Sequence, residues 1–132
     1  MGNSLNIFLN KKILIYGLGK SGMSTFSFLK NKSNVFLYDD YKKNIKTKNI
    51  KRKLINYKNV IKANFDHIIL SPGIDINKCK LSKFLNKNKK KTYSDLDVFY
   101  SFYKNDCITI TGTNGKSTTC QLLYEVLSKQ KL

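Results

Sequence analysis

Residues that build reactive or cross-linked sites are scarce in this chain. Its 132 residues include one histidine, three cysteines, one proline, no tryptophan and only 8 acidic side chains. Cys79, Cys107 and Cys120 are odd in number and lack metal-ligand spacing, which argues against a disulfide framework or a zinc site. Cys107 and Cys120 are expected to pack in a strand and a helix on either side of a glycine loop. The lone His67 opens an apolar run and reads as structural rather than catalytic. No stretch approaches the roughly 18 consecutive apolar residues of a membrane span. Met1 to Lys12 has no long apolar core of a signal peptide. Met1-Gly2 opens like an acylation site, but Asn6 stands where Ser or Thr is required. These absences fit a protein of the reducing cytoplasm that does not enter membranes.

The shortage of acids leaves a formal charge of +17, which raises the question of nucleic acid. Runs such as Lys42 to Arg52 and Lys87 to Lys91 could form a basic patch. Yet all but one of the 25 basic residues are lysine, and Asn and Ile are abundant too. These are the amino acids of A/T-rich codons, so base composition accounts for the excess. The 16 Phe and Tyr residues sit mostly inside apolar runs rather than between the lysines. A solvated lysine-rich surface is therefore expected, not a nucleic-acid partner. Polyanionic small molecules would still be attracted.

Two glycine loops carry the chemistry. The apolar run Lys12 to Tyr16 reads as a buried strand, followed at once by Gly17-Leu-Gly-Lys-Ser-Gly22. This spacing opens a helix with Gly22, Phe26 and Leu29 on one face. Gly17 permits the turn, Gly19 close approach of a diphosphate, and Gly22 contact of helix with sheet. A second strand, Val35 to Tyr38, ends in Asp39-Asp40, where a nucleotide's ribose or base would be held. The second loop follows Ile108-Thr-Ile110 as Thr111-Gly-Thr-Asn-Gly-Lys-Ser-Thr118. Gly112 and Gly115 bring backbone N–H groups to an anion, and Lys116 and Ser117 suit phosphate and magnesium. The generic phosphate-loop pattern would place its first glycine at position 110, which is Ile110.

The remaining elements are expected as helix 20–31, strand 34–38, a basic connector over 41–53, strand 67–71, helices 80–88 and 94–104, strand 106–110 and helix 116–130. Short strands near Thr92-Tyr93 and Leu54 to Tyr57 fit the pattern as well. Ser94-Asp-Leu-Asp97 reads as a capping box, and Leu96, Phe99, Tyr100 and Tyr103 share a face of the helix it starts. Alternating strands and helices predict a Rossmann-like α/β fold, a parallel sheet with helices on both faces. Pro72, in Ser71-Pro72-Gly73, falls at the carboxyl end of a strand, where such sheets bind ligands. The last helix presents Thr119, Leu122, Leu123, Val126 and Leu127 to a sheet, yet only one strand lies near it. The chain thus reads as a first domain over 1–104 and the truncated start of a second α/β domain over 105–132.

Thr111 to Thr118 resembles the ATP-binding loop of the Mur ligase superfamily. Together with Gly17 to Gly22, the turn Ile68-Ile-Leu-Ser-Pro-Gly-Ile74 and the segment Ser94-Asp-Leu-Asp-Val-Phe99, it resembles the D-glutamate-adding family of those ligases. Ser94 stands where that family commonly has glycine. The likeness runs through nearly the whole chain, over the family's N-terminal domain and the first strand, loop and helix of its central domain.

The resemblance implies an ATP-dependent amide ligase of peptidoglycan biosynthesis. Its substrates would be UDP-N-acetylmuramoyl-L-alanine and D-glutamate, with ATP and Mg²⁺ as cofactors and a monomeric enzyme. It assigns the UDP-sugar to Gly17, Gly19, Lys20, Ser21, Gly22, Asp39, Asp40, Ser71, Pro72 and Gly73. Asp40 and Tyr41 differ from the family's commoner Thr and Arg. It assigns ATP to Gly112, Thr113, Asn114, Gly115, Lys116, Ser117 and Thr118, with Lys116 catalytic on the phosphates and Ser117 on the metal. The family's other catalytic groups lie beyond Leu132, so this polypeptide alone is expected to bind without ligating. A stand-alone nucleotide-binding module and a Rossmann-type NAD(P) oxidoreductase are the alternatives.

Overall fold

The computed structural model describes residues 6–41 and 48–130. The readings of Met1 to Leu5 and of residues 42–47 of the basic connector lie outside the described residues. Four strands form one parallel sheet in the order β2-β1-β3-β4: β1 (Lys12–Tyr16), β2 (Asn34–Tyr38), β3 (His67–Leu70) and β4 (Thr92–Ser94). The helices are α1 (Lys20–Leu29), α2 (Lys48–Lys51), α3 (Tyr57–Lys62), α4 (Ser82–Lys87), α5 (Asp95–Phe102) and α6 (Lys116–Lys129).

Strand alternation divides the core in two. Ile13 and Ile15 of β1, Val35 and Leu37 of β2, and Ile69 of β3 point to one side, against Phe26 and Leu29 of α1 and Val98 of α5. Leu14, Tyr16, Tyr38 and Ile68 point to the other, against Val60 of α3, Phe65 and Leu85 of α4. Both faces of a parallel sheet must be covered, which is why β1 reads as an unbroken apolar run. Phe8, fully buried in the turn before β1, stacks edge-on against His67 and Tyr93. His67 Nε2 lies 2.9 Å from the Ile7 carbonyl, so the histidine serves the amino end of the sheet.

The sheet elements fall where periodicity places them, and β4 forms beside β3. The Leu54 region makes a single bridge to Leu37 before the chain turns into α3. Asn56 caps α3 by accepting from the Asn59 N–H at 2.8 Å, a signal that favours helix over a continued strand. The capping box of α5 is complete: Ser94 accepts from Asp97 N–H, and Asp97 accepts from Ser94 N–H.

Strand 106–110 does not form. Those residues lie outside every ladder, and Ile108 is 66% exposed. A β-strand needs a neighbour to satisfy its backbone, and none of the described strands offers it one. For the same reason Cys107 and Cys120 are exposed rather than packed. The helix after the loop forms over Lys116–Lys129 but buries no residue, so its apolar face is uncovered. The aromatic face of α5 is also largely in solvent. Val98 alone of that helix is buried, and Leu96, Phe99, Tyr100 and Tyr103 are exposed.

This division predicts unequal costs. Ile15→Ala, in the core, should lose about 2–5 kcal/mol of unfolding free energy. Leu122→Ala, on the uncovered face of α6, should stay within about 0.5 kcal/mol. Urea denaturation monitored by tyrosine fluorescence measures both.

Candidate functional site

The strand order places the connection from β1 to β2 on one side of β1 and the return to β3 on the other. The carboxyl ends of β1 and β3 are therefore the point where the chain switches direction, and such points form clefts in open α/β sheets. Gly17 follows β1 there and Ser71 follows β3. Ser71 Oγ donates to the Gly17 carbonyl at 2.8 Å, and Ser71 N–H donates to the Tyr16 carbonyl at 3.0 Å.

The contact leaves no room for side chains on the glycines behind it. Gly17 has φ +100°, and a Cβ there would stand 2.7 Å from the Ser71 Cβ. A Cβ on Gly22 would stand 1.9 Å from the Gly17 carbonyl oxygen. By contrast, a Cβ on Gly19 or Gly73 meets nothing within 4 Å. Packing demands the first two glycines, while the space before the other two is open to a ligand.

Asp39 secures the loop from the β2 side. Its carboxylate accepts from Leu18 N–H at 2.7 Å and from Tyr41 N–H at 2.9 Å. Beside it, Asp40 accepts from the Tyr16 hydroxyl at 2.6 Å and from Lys80 N–H at 3.1 Å. Burial, and then the Asp40 carboxylate, raise the phenol of Tyr16 well above its ordinary range. The same two causes push the Tyr38 phenol up to about 12.

The structure thus brings Gly17, Gly22, Asp39, Asp40 and Ser71 to one edge of the sheet. Gly19 caps α1, and Lys20 and Ser21 begin that helix. Ser21 donates to the Asp95 carboxylate at the start of α5. Ser21 therefore faces α5, beside a groove of about 690 Å³ lined by Phe28, Leu96, Phe99 and Tyr103 among others. That groove lies between α1 and α5, not at the ends of β1 and β3. Pro72 and Gly73 are exposed in the turn after β3. Lys80, which spacing did not single out, enters the edge through Asp40; no local pattern marks it among so many lysines.

The second glycine loop is exposed. Gly112 has φ +146° and Gly115 φ +75°, the latter as the residue before α6. No side chain caps this helix, so its first N–H groups are free to meet an anion. The Lys116 ammonium folds back on the loop, donating to the carbonyls of Gly112 and, at 3.3 Å, Thr113. Thr119 Oγ1 bonds the Gly115 carbonyl at 3.0 Å. Among the described residues no cluster of His, Cys, Asp or Glu could hold a metal ion, and no helix is long and apolar enough to cross a membrane.

A four-stranded parallel sheet in this order, with a glycine turn and an acidic strand end at its switch point, defines a Rossmann-like α/β domain. Residues 11–91 match the family model described as Mur ligase MurD-like, N-terminal domain, and the chain belongs to that family. Curated relatives carry the name UDP-N-acetylmuramoylalanine–D-glutamate ligase. The one from Rickettsia prowazekii is 35% identical over 97% of this chain and 29% of its own length. The one from Rickettsia conorii is 38% identical over 97% of this chain and 26% of its own. The Aquifex aeolicus protein is 34% identical over 89% of this chain and 26% of its own. The chain therefore spans less than a third of the length of these relatives.

Two outcomes test the geometry. Gly22→Ala should lower stability by about 1–3 kcal/mol through overpacking. Gly19→Ala should cost under about 1 kcal/mol. Thermal melts of the two variants check this. The raised phenols carry a second outcome. A group whose pKa rises on folding stabilises the fold below its unfolded pKa and ceases to do so as pH climbs through the folded value. Stability should thus decline as pH rises from about 10 towards the folded value of about 12. Tyr38→Phe should flatten part of that decline, as read from urea midpoints across the range.

Proposed function

We propose that this chain is the UDP-sugar-binding domain, with the beginning of the ATP site, of a ligase that adds D-glutamate to UDP-N-acetylmuramoyl-L-alanine in peptidoglycan synthesis. One observation carries the reading: the cleft where Gly17, Asp39 and Ser71 meet at the carboxyl ends of three strands, within a MurD-like N-terminal domain. Residues 1–104 make up the UDP-sugar domain and 105–132 open the ATP domain.

In this reading Lys20 and the N–H groups at the start of α1 receive the diphosphate, since an anion is favoured at a helix N-terminus. Gly19 and Gly73 leave the open space through which it approaches. Asp39, Asp40, Ser71 and Pro72 line the nucleoside end, with Ser21 at the α5 side. The second loop suits ATP. The uncapped start of α6 supports that fit, with Gly112, Thr113, Asn114, Gly115 and Thr118 around the phosphates and Lys116 on the β and γ groups. Ser117 is the residue here that would hold Mg²⁺, which supplies charge neutralisation for phosphoryl transfer.

The reaction joins two steps. An alanyl carboxylate oxygen attacks the γ-phosphorus, the bond to ADP breaks, and an acyl phosphate results. The amine of D-glutamate then attacks the acyl carbon and loses a proton, and phosphate leaves. Lys116 and the loop amides contribute by positioning and by charge stabilisation. The groups that would bind D-glutamate and complete the metal site are not assigned to any residue of this chain.

Calorimetry with UDP-N-acetylmuramoyl-L-alanine should detect weak binding to the 132-residue chain. D-glutamate-dependent ADP release by this chain should be undetectable. Binding of NAD(P)H in place of the UDP-sugar would make the oxidoreductase alternative the better reading, and robust ADP release would sink the expectation that the chain cannot ligate.

A further inference from the structure

We propose that Lys80 is a nucleotide-binding residue of the cleft, positioned by Asp40, and that its ammonium donates to a keto oxygen of the base. The inference rests on the UDP-sugar reading and adds to it a residue and a basis for selectivity.

Asp40 grips Lys80 twice. Its carboxylate accepts the Lys80 backbone N–H at 3.1 Å, and its carbonyl oxygen accepts the Lys80 ammonium at 3.3 Å. These bonds draw the segment after the Ser71-Pro72-Gly73 turn across to the end of β2. In this fold a nucleotide's ribose and base lie beyond that strand end. The lysine is exposed, and an ammonium has three donors, of which the Asp40 carbonyl uses one. Among the described residues the other two have no partner.

A negative charge stands on the same residue that holds the ammonium. The Tyr16 hydroxyl and the Lys80 N–H both go to one oxygen of the Asp40 carboxylate, and the other oxygen is buried with no partner among the described residues. An under-satisfied carboxylate in a half-buried site favours a nearby positive charge. Tyr38, buried beside Asp40, offers a neutral phenol and cannot replace that charge.

Base chemistry then yields selectivity. Uracil presents a carbonyl oxygen at C4, and cytosine presents an amino group at the same place. An ammonium pairs with the first and opposes the second. Loss of a donor to a polar ligand leaves that ligand atom unpaired, so the effect on affinity is direct.

Calorimetry of the full chain with UDP and with CDP tests this. The wild-type chain should bind UDP more tightly than CDP. Lys80→Met should weaken UDP about tenfold or more, the range of a charge-assisted hydrogen bond, and bring the two affinities together. Lys80→Arg should keep the preference. Asp40→Ala alone should narrow the preference for UDP over CDP, because the Lys80 backbone N–H loses the acceptor that positions it; an unchanged preference in Asp40→Ala would overturn the positioning role. The melting temperature of Lys80→Met should stay at the wild-type value, since its side chain is exposed. If wild-type selects UDP and Lys80→Met selects it equally, the Lys80 inference falls alone. If the wild-type chain binds neither UDP nor the UDP-sugar, the reading beneath it falls as well.

Discussion

The hydrogen bond from Ser71 to the Gly17 carbonyl joins the ends of the two central strands, and the rest of the site depends on it. It can exist only because the glycine turn presses against Ser71 with no Cβ between them. Gly22 extends that contact one helical turn further, where the first turn of α1 lies on the loop itself. The direction of α1 follows, and with it the aim of its N-terminal N–H groups. Asp39 then holds the same loop from its other side through Leu18. A loop fastened from both flanks needs little reordering when an anion arrives, which lowers the entropic cost of binding.

Scarce acidic residues are spent on structure. Seven of the eight accept hydrogen bonds that organise backbone or side chains: Asp39, Asp40, Asp66, Asp75, Asp95, Asp97 and Glu125. Only Asp75 among them forms an ion pair in the described residues, with Lys78, and that pair is exposed. Exposed pairs contribute little. Among the described residues the positive charge is therefore left largely uncompensated by pairing, and a surface of that sign attracts polyanions rather than strengthening the fold.

The parts of the fold legible in the residues were those governed by local rules. The alternation of Ile13, Leu14, Ile15 and Tyr16 marks β1 whatever surrounds it, and Ser94 with Asp97 marks the start of α5. Glycine spacing likewise identified the turn after β1. Sequence reasoning failed where an element required a partner. Residues 106–110 have strand-forming side chains but no ladder to join, and the apolar faces of α5 and α6 are real faces that are left uncovered. Phe8 and Lys80 carry no local signal for a related reason: neither belongs to a periodic pattern, and each matters through contacts distant in the chain.

By its spacing alone, then, the sequence determined the four strands of the sheet, the helices α1, α4, α5 and α6, the two glycine loops and the family resemblance, because dihedral preferences and side-chain periodicity act over a few residues. Tertiary structure decided which of those residues share a site. Asp39, Ser71 and Lys80 stand far apart in the chain. They converge because a parallel sheet with a crossover on each side of β1 sends the ends of β1, β2 and β3 to one edge. That convergence is a property of strand order, which is set by burying both faces of the sheet at once, and no local pattern encodes it.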